Sequence, residues 1–458
     1  MEENAADSDS DHHEPESEEM ALVGVEDGEA GMVVMAVGDG GDVEDGGGTD
    51  PEGGGDDEEV QEFDISLPAT HSYLGTDLEQ LGGRRVLEAG WTGRVPGMAH
   101  HGTVFPGETV PMLLTPETLR DVILQERMFC LLCPDESGMN VSGLGVLCEV
   151  LAGAAAAGVV ARASHRVRLK QPRTRLGHAF RNMQMLEVEV LPELAPGDPL
   201  RPSRLASLDP LRRLQDSRQE CILRRMDAAT SPWPAFVWHI FDYRRLRARL
   251  TDHFATLSLD DKMPLDAVSL SFWAASNLTL SARDRNALFA VDNALLRLNL
   301  ALRFIDKSTA LCCGTCGAEL SRRSHMFAMS SDGVHANYTN YGGFMHDVVT
   351  VRTAQGTQLG APSAEYSWFP GYAWRVAQCG GCGTHVGWRF DAMRRALRPA
   401  QFFALCRNVV APRAERGAER GAGRGAGRGG AGRGGAGRGG AGRGGAGRGR
   451  AGDEADAL

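Results

Sequence analysis

The stretches CGTCG (residues 313–317) and CGGCG (residues 379–383) decide how the C-terminal part of this chain folds. Each stretch places two cysteines on what can be a tight turn, with glycines beside them. Four thiolates from two such turns complete the closed tetrahedral shell of a structural Zn²⁺ ion. The alternative is four unrelated buried thiols, which the equal spacing of the two pairs and their neighbouring glycines disfavour. The sequence therefore predicts one zinc ion bound by Cys313, Cys316, Cys379 and Cys382.

Three tryptophans lie close to these cysteines in the sequence. Trp368 and Trp374 flank a Pro370-Gly371 turn, and Trp388 follows the second cysteine pair. Tryptophans that converge can form an aromatic box around a compact ligand, because each offers a large flat face and one N–H donor. The same residues could equally form the core of a small β domain. The residues alone leave these two interpretations open.

Two further groups of residues could in principle bind a metal, but their sequence context differs from that of the zinc cysteines. Cys130 and Cys133 lie in the continuous apolar run MFCLLC, without an adjacent glycine and without a second pair nearby, so we expect buried core cysteines. His335, His346 and His385 are closer to the zinc cysteines. We expect these histidines to bond to backbone groups or solvent rather than to act as ligands or bases.

The sequence contains no catalytic signature that we recognise. The dipeptide Gly-Lys never occurs, which excludes a phosphate-binding P-loop, and no His-Glu-x-x-His sequence is present. Four thiolates would also leave no open coordination position for an activated water. We therefore predict a binding protein rather than an enzyme, with no catalytic residues.

The composition describes the two ends of the chain rather than its middle. Residues 1–62 contain 23 of the 60 acidic residues and no Lys or Arg, whereas residues 411–458 carry ten Arg, most of them in Gly-Arg repeats. Both ends have too little apolar surface to offset the entropy cost of folding. We therefore predict disordered tails at 1–62 and 413–458. The middle carries a net charge of +6, although the whole chain carries −12.

The cellular compartment is also constrained by composition. No stretch approaches the roughly 20 apolar residues of a transmembrane helix, and the first residues are acidic, unlike a secretory or transit signal. We therefore expect a protein of the cytoplasm and nucleus. In a reducing compartment, clustered cysteines serve metal binding rather than disulfides.

Between the tails the hydrophobic periodicity changes twice. Residues 63–193 show short apolar segments separated by Gly and Pro, which predicts β strands with one helix that begins at Thr115 and Pro116. Residues 194–306 have helical periodicity, and residues 307–412 return to a β pattern. The predicted fold class is multidomain, mainly β with a helical insert.

We expect three or four helices in the insert. One would cover the tract Ser231–Leu250, and another would begin at a capping box formed by Ser281 and Asp284 and run as far as Phe304.

The segment around the tryptophans resembles a known family. SAEYSWFPGYAW (363–374), VAQC (376–379) and THVGWRF (384–390) are similar to the thalidomide-binding domain of the cereblon family. Further similarity to the family's Lon-like N-terminal domain and to its helical region lies in FDISLPATHSYLG (63–75), FPGETVP (105–111) and SPWP (231–234). The resemblance covers residues 63–412, in order.

This resemblance implies the substrate-recognition component of a cullin-4 RING E3 ubiquitin ligase, which has no catalysis of its own. Residues 63–193 would form a Lon-like β domain. Residues 194–306 would form a helical bundle that binds the damaged-DNA-binding adaptor subunit and, through it, cullin-4 and a RING protein. Residues 307–412 would form the CULT domain, a zinc-stapled, β-sandwich-like fold.

The resemblance also implies a ligand for the aromatic box. The family binds cyclic imides there: glutarimide, thalidomide-type compounds and the imides of damaged protein C-termini. Proteins bound in this way would be presented for ubiquitination and proteasomal degradation. The residues carried over are Trp368, Trp374, Trp388, Phe390, Asn340 and Tyr366, the last in place of the family's usual His.

Two further expectations concern partners. We expect the adaptor to bind a hydrophobic face that carries Trp233, Phe236, Val237 or Phe241. The alternative function is an RNA-associated protein that acts through its Gly/Arg tail. The tail lacks interleaved aromatic residues and has a small net charge, so we do not expect nucleic acid as the main partner. Deletion of the residues after Pro412 would distinguish the two functions.

Overall fold

The computed structural model describes residues 60–75, 77–81, 86–114, 117–135, 140–153, 158–170, 183–213, 217–307 and 309–413. The two predicted tails therefore lie almost wholly outside the described residues, as do Thr115 and Pro116. The described residues belong to one compact unit. None of their helices is long and apolar enough to cross a membrane.

A seven-stranded sheet forms the N-terminal β region, and a short strand β1 (Gln61–Glu62) precedes it. The strands run in the order β2-β6-β5-β3-β8-β7-β4, and β6 also pairs with β7, so five of them close into a barrel with β2 and β4 at its edges. The bounds are β2 (Glu79–Gln80), β3 (Thr92–Ala99), β4 (Thr109–Leu113), β5 (Met128–Pro134), β6 (Val141–Gly153), β7 (Gly158–Leu169) and β8 (Gln184–Val190).

The single helix predicted in this region is α1 (Glu117–Glu126), which lies between β4 and β5. The apolar segments of the sequence form strands. Successive side chains of a strand point to opposite faces of the barrel wall, and residues on both faces are buried. Cys130 and Cys133 are both buried in β5, which confirms that they are core cysteines.

The helical insert contains more helices than we expected. Within its described residues there are seven: α2 (Asp209–Arg212), α3 (Ser217–Thr230), α4 (Ala235–Ile240), α5 (Tyr243–Ala255), α6 (Ala267–Ser276), α7 (Ala282–Phe289) and α8 (Ala294–Lys307). The prediction of three or four helices is therefore wrong. Each of the two long helices that we predicted is two helices, and the short helix α2 was not expected.

Capping side chains cause both interruptions. The carboxylate of Asp242 accepts a hydrogen bond from the backbone N–H of Arg245, so α5 begins anew after α4. Ser281 caps α7 as predicted, but the carboxamide of Asn293 then caps α8 through the N–H groups of Leu295 and Leu296. A side chain that satisfies free N–H groups starts a helix even inside an apolar-periodic run.

The C-terminal β region consists of two sheets. The order in the larger sheet is β11-β12-β17-β15-β14-β13, and in the smaller sheet β10-β9-β18. The bounds are β9 (Ala310–Cys313), β10 (Glu319–Arg322), β11 (His335–Thr339), β12 (Met345–Val351), β13 (Thr357–Ser363), β14 (Tyr372–Cys379), β15 (His385–Ala392), β16 (Leu397–Arg398), β17 (Gln401–Cys406) and β18 (Val410–Arg413). The mainly β fold class with a helical insert is confirmed.

The first described residues pack on this C-terminal region rather than on the barrel. Strand β1 pairs in parallel with β16, and the Phe63 ring lies 5.3 Å from that of Tyr372 and 6.4 Å from that of Phe369. Of residues 63–75, which the sequence assigns to the N-terminal domain, Phe63 packs on the C-terminal region, whereas Leu74 is buried against Ala152 and Val160 of the barrel. Arg413, which the sequence assigns to the tail, is the last residue of β18. The two ends of the described chain are therefore both part of the C-terminal β region.

A buried ion network joins the barrel, the helices and the C-terminal sheet. Arg285 of α7 pairs with Glu108 beside β4 at 3.0 Å, and Arg407 after β17 donates from Nε to Asp347 of β12 at 2.7 Å. Arg407 also donates to the carbonyl of Ser276 at the end of α6. Because buried charges are strongly destabilising without partners, this network fixes how the three regions meet.

Candidate functional site

The two cysteine pairs meet at the ends of β9 and β14. The Sγ atoms of Cys313 and Cys382 lie 3.7 Å apart, and those of Cys316 and Cys379 lie 3.6 Å apart. All four Sγ atoms lie within 4.8 Å of one another. A tetrahedron with Zn–S bonds of about 2.3 Å has S–S edges of about 3.8 Å. The group can therefore hold one metal ion in a closed shell.

Both turns are built in the same way. The N–H of Gly317 donates to the carbonyl of Cys313 at 2.8 Å, and the N–H of Gly383 donates to the carbonyl of Cys379 at 2.7 Å. Each glycine has a left-handed backbone, with φ of +75° and +74°. A Cβ atom disfavours this conformation, which explains the glycine that follows each pair.

One of the four thiols is already biased toward the thiolate. The hydroxyl and the backbone N–H of Thr384 hydrogen-bond to Cys382 and lower the pKa of this thiol to about 6. A thiolate is the form that binds a metal. Cys312 lies beside the group but is buried and does not belong to it.

The tryptophans gather on one face of the larger sheet. Trp388 and Phe390 lie two residues apart on β15, and Trp374 of β14 is paired with Phe390, so the three side chains share that face. Trp368 comes from the loop between β13 and β14, and its ring centroid lies 4.7 Å from that of Trp388 at an interplanar angle of 72°.

The indole N–H groups of Trp368 and Trp374 both donate to backbone carbonyls. Trp368 donates from Nε1 to the carbonyl of Thr339 at 3.1 Å, and Trp374 donates to the carbonyl of Glu365 at 2.8 Å. These bonds fix the orientation of both indole rings. Trp368 and Trp388 are only 5% and 9% exposed, whereas Trp374 is half-buried, so Trp374 forms the solvent side of the site.

Phe390 lies beneath the tryptophans rather than among them. It is 1% exposed and stacks on Phe402 with centroids 5.1 Å apart and an interplanar angle of 11°. Its centroid lies 6.2 Å from that of Trp368. Phe390 thus joins the aromatic site to the core below it, and its predicted contact with a ligand stays a prediction.

Asn340 organises the turn between β11 and β12. Its Oδ1 accepts from the N–H of Phe344 at 2.9 Å, and its Nδ2 lies 3.2 Å from Nε2 of His346. Because the amide nitrogen can only donate, Nε2 of His346 is the acceptor and carries no proton. Both polar atoms of Asn340 are therefore used within the turn, and a ligand contact by Asn340 stays a prediction.

Two histidines belong to the site although sequence reasoning set them aside. The rings of His346 and His385 lie 4.9 and 4.6 Å from that of Trp388, each nearly perpendicular to it. Burial lowers the pKa of His346 to about 4 and also lowers that of His385, so both are neutral near pH 7. His385 precedes Trp388 by three residues on β15, within the segment THVGWRF, whereas His346 of β12 reaches Trp388 only through strand pairing.

Tyr366 has an unusual conformation on the loop that carries Trp368. Its φ is +54°, and its ring packs against Tyr73 and Tyr341 at centroid distances of 5.2 and 5.8 Å. Within the described residues, its hydroxyl has no hydrogen-bond partner, and neither its carbonyl nor the backbone N–H of Trp368 is bonded. The loop thus presents one free acceptor and one free donor beside the tryptophans.

A separate apolar surface lies on the helical insert. Trp233 and Phe236, before and in α4, are 57% and 71% exposed, and Ile222 and Met226 of α3 are also exposed. Val237 and Phe241 are half-buried. Two of the four residues predicted to form an adaptor-binding face are therefore exposed, and two are partly covered by the protein itself.

These features define a class of protein: a β barrel, a helical insert and a C-terminal β region that contains a four-cysteine metal group and a cluster of tryptophans. No protein-family model matches the chain. Protein cereblon of Xenopus tropicalis is 31% identical over 383 residues, which is 77% of this chain and 85% of that protein. Protein cereblon of Danio rerio is 29% identical over 389 residues, or 78% and 89% of the two chains.

The chain belongs to the cereblon family. Protein cereblon of Gallus gallus is 29% identical over a similar share, 77% of this chain and 85% of its own length. The resemblance seen in the sequence is thus confirmed over most of the folded part.

Proposed function

We propose that this protein is the substrate-recognition component of a cullin-4 RING ubiquitin ligase and that it binds cyclic imides between its tryptophans. Membership of the cereblon family supports the proposal of a substrate-recognition component. The observation that carries the ligand is the pair of unbonded backbone groups on Tyr366 and Trp368 beside the aromatic rings.

A cyclic imide has one N–H between two carbonyls and a short apolar edge. The carbonyl of Tyr366 is an acceptor for the imide N–H, and the N–H of Trp368 is a donor for an imide carbonyl. The rings of Trp368, Trp374 and Trp388 would enclose the apolar edge and exclude water, which strengthens both hydrogen bonds. His346 and His385 add neutral polar edges around Trp388.

We assign the metal as one structural Zn²⁺. Four cysteine ligands in a closed tetrahedron are typical of structural zinc, and they leave no position for a reactive water. Zinc would join β9 to β14 and so hold the base of the strand that carries Trp374.

The exposed surface of Trp233, Phe236, Ile222 and Met226 supports the helical insert as the binding site of the damaged-DNA-binding adaptor subunit. Exposed aromatic residues of this size are typical of binding surfaces. The protein would then act without catalysis, because it holds a substrate near a charged conjugating enzyme in the cytoplasm or nucleus.

Calorimetric titration of glutarimide into the full chain tests the ligand. Glutarimide should bind, and N-methylglutarimide should not, because methylation removes the imide N–H that the Tyr366 carbonyl accepts. Equal binding of both compounds, or of neither, would contradict the proposed site.

A further inference from the structure

The barrel and the C-terminal sheet meet through two edge strands. Strand β4 is the last strand of the barrel sheet, and β11 is the last strand of the larger C-terminal sheet. An edge strand has free backbone groups that another strand can pair with. Here Pro111 in the middle of β4 has no N–H, so a regular backbone ladder with β11 cannot form.

Side chains of β11 bridge the two edges instead. Asn337 donates from Nδ2 to the carbonyl of Thr109 at 2.9 Å, and Thr339 donates from Oγ1 to the carbonyl of Pro111 at 2.6 Å. The two donors are two residues apart, as are the two acceptors, so they follow the period of both strands. Both donor residues are buried.

Thr339 also bonds to two other parts of the molecule. Its N–H donates to the hydroxyl of Tyr73 at 3.1 Å, and its carbonyl accepts the indole N–H of Trp368 at 3.1 Å. Its hydroxyl, N–H and carbonyl are therefore bonded to the barrel, to the N-terminal segment and to the aromatic site respectively. The side chain is completely buried, so water cannot replace a lost bond.

We propose that Thr339 is a positioning residue of the aromatic site, which sets the Trp368 wall by holding β11 against Pro111 of the barrel and against Tyr73. The indole of Trp368 is fixed at one end by Thr339, and its ring stacks on Tyr338 at 5.1 Å. A shift of β11 relative to β4 therefore moves Trp368 relative to Trp388. The ligand part of this inference rests on the proposed function, and the structural part does not.

The substitution Thr339→Val in the full chain tests the role, because valine keeps the shape and removes the hydroxyl. The ¹⁵N indole signal of Trp368, assigned with Trp368→Phe, should shift, and glutarimide affinity should fall about three- to tenfold, as expected for one lost buried hydrogen bond. Thr339→Ser keeps the hydroxyl and should restore both.

The matched control is Thr350→Val. Thr350 is a buried threonine of β12 whose hydroxyl donates to the carbonyl of Phe327, away from the barrel edge. This variant should change neither the Trp368 signal nor the affinity. Tyr73→Phe removes the acceptor of the Thr339 N–H and should shift the Trp368 signal even if Thr339→Val fails to fold.

A Trp368 signal unchanged in a folded Thr339→Val variant, or in Tyr73→Phe where Thr339→Val does not fold, would overturn the positioning role. If the wild-type chain does not bind glutarimide, the proposed function fails, and the Trp368 signal still decides the role of Thr339.

Discussion

Trp374 differs from the other two tryptophans of the site because it is half-buried and is held by the loop carbonyl of Glu365. Trp374→Ala should remove measurable glutarimide binding, since it deletes the solvent-side wall and admits water to the imide bonds. Calorimetry with the purified full chain measures this. Trp91→Ala in the barrel is the control and should bind as the wild type does.

Tyr366 stands where the resemblance to the family leads us to expect a histidine. Its proposed contact is made by the backbone carbonyl, so Tyr366→His should change glutarimide affinity by about tenfold at most, the effect of one net hydrogen bond. The same titration measures it. A wild-type chain that does not bind while Tyr366→His does would show that the imidazole is essential.

Sequence reasoning identified the residues of this site that belong to continuous motifs. The cysteine pairs have a fixed spacing, and the three tryptophans lie in one recognisable segment. His346 and Thr339 have no such signal, because they reach the site only through the pairing of β11, β12, β17 and β15. His385 lies in the segment THVGWRF, but sequence reasoning did not assign it to the site. Contacts that depend on strand pairing cannot be read from local patterns.

The metal group joins two strand elements of separate sheets, β9 and β14. Cys379→Ser should lose the metal and lower the thermal stability of the full chain, since three thiolates and a hydroxyl no longer complete the shell. Elemental analysis and thermal unfolding measure the two effects. Cys221→Ser, at an exposed cysteine of α3, should retain about one metal ion per chain. A metal-free wild-type chain that is fully folded would contradict the prediction.

Helices α3 and α4 present the apolar surface proposed for the adaptor. Phe236→Glu should abolish co-purification with the adaptor subunit, because it replaces the most exposed of these apolar side chains by a charge. Leu265→Glu is the matched control, since Leu265 is also largely exposed but lies before α6. Loss of the adaptor in both variants would show that charge itself, and not this surface, is responsible.

The helical elements show where periodicity fails. A periodic run of apolar residues predicts which face of a helix is buried. When the same spacing continues from one helix into the next, the run does not show where the first helix ends. Asp242 and Asn293 interrupt two such runs because they cap a new helix. Aspartate and asparagine also occur on exposed helix faces, so their capping role is visible only in the structure.

Buried neutral histidines make the stability of the whole molecule depend on pH. Burial lowers the pKa of His71 to about 4 and that of His335 well below its usual range. The unfolded chain binds protons near pH 6.5 and the folded chain does not, so stability is complete above pH 6.5 and falls toward pH 4. Below pH 6.5, each such histidine lowers the free energy of unfolding by up to about 1.4 kcal/mol for each pH unit.

Urea unfolding at pH 7.5 and pH 5.5 should therefore show a lower free energy of unfolding at the lower pH. His71→Gln should reduce this loss, because an amide does not titrate. Metal content is measured at both pH values so that release of the ion is not mistaken for the histidine effect. Equal stability at both pH values, with the same metal content, would rule out this explanation.

At the scale of the molecule, the order of β, helical and β regions was predictable because each has its own hydrophobic period. The contacts that join the three regions were not predictable. The Arg285–Glu108 pair, the Arg407–Asp347 pair and the bonds between β11 and β4 connect residues that are far apart in sequence and carry no shared motif. The three regions that the sequence separates therefore have continuous packing in the structure.

The pairing of β1 with β16 has a consequence for how the chain is made. Gln61 and Glu62 leave the ribosome early, but Leu397 and Arg398 follow about 340 residues later. At a synthesis rate of roughly 5 to 20 residues per second, that delay is about 17 to 67 seconds. During this time Phe63 and Tyr73 have no C-terminal sheet to pack on. This segment, the first that the structure describes, is thus among the last to reach its native place, and its aromatic residues are exposed to the cell's chaperones until then.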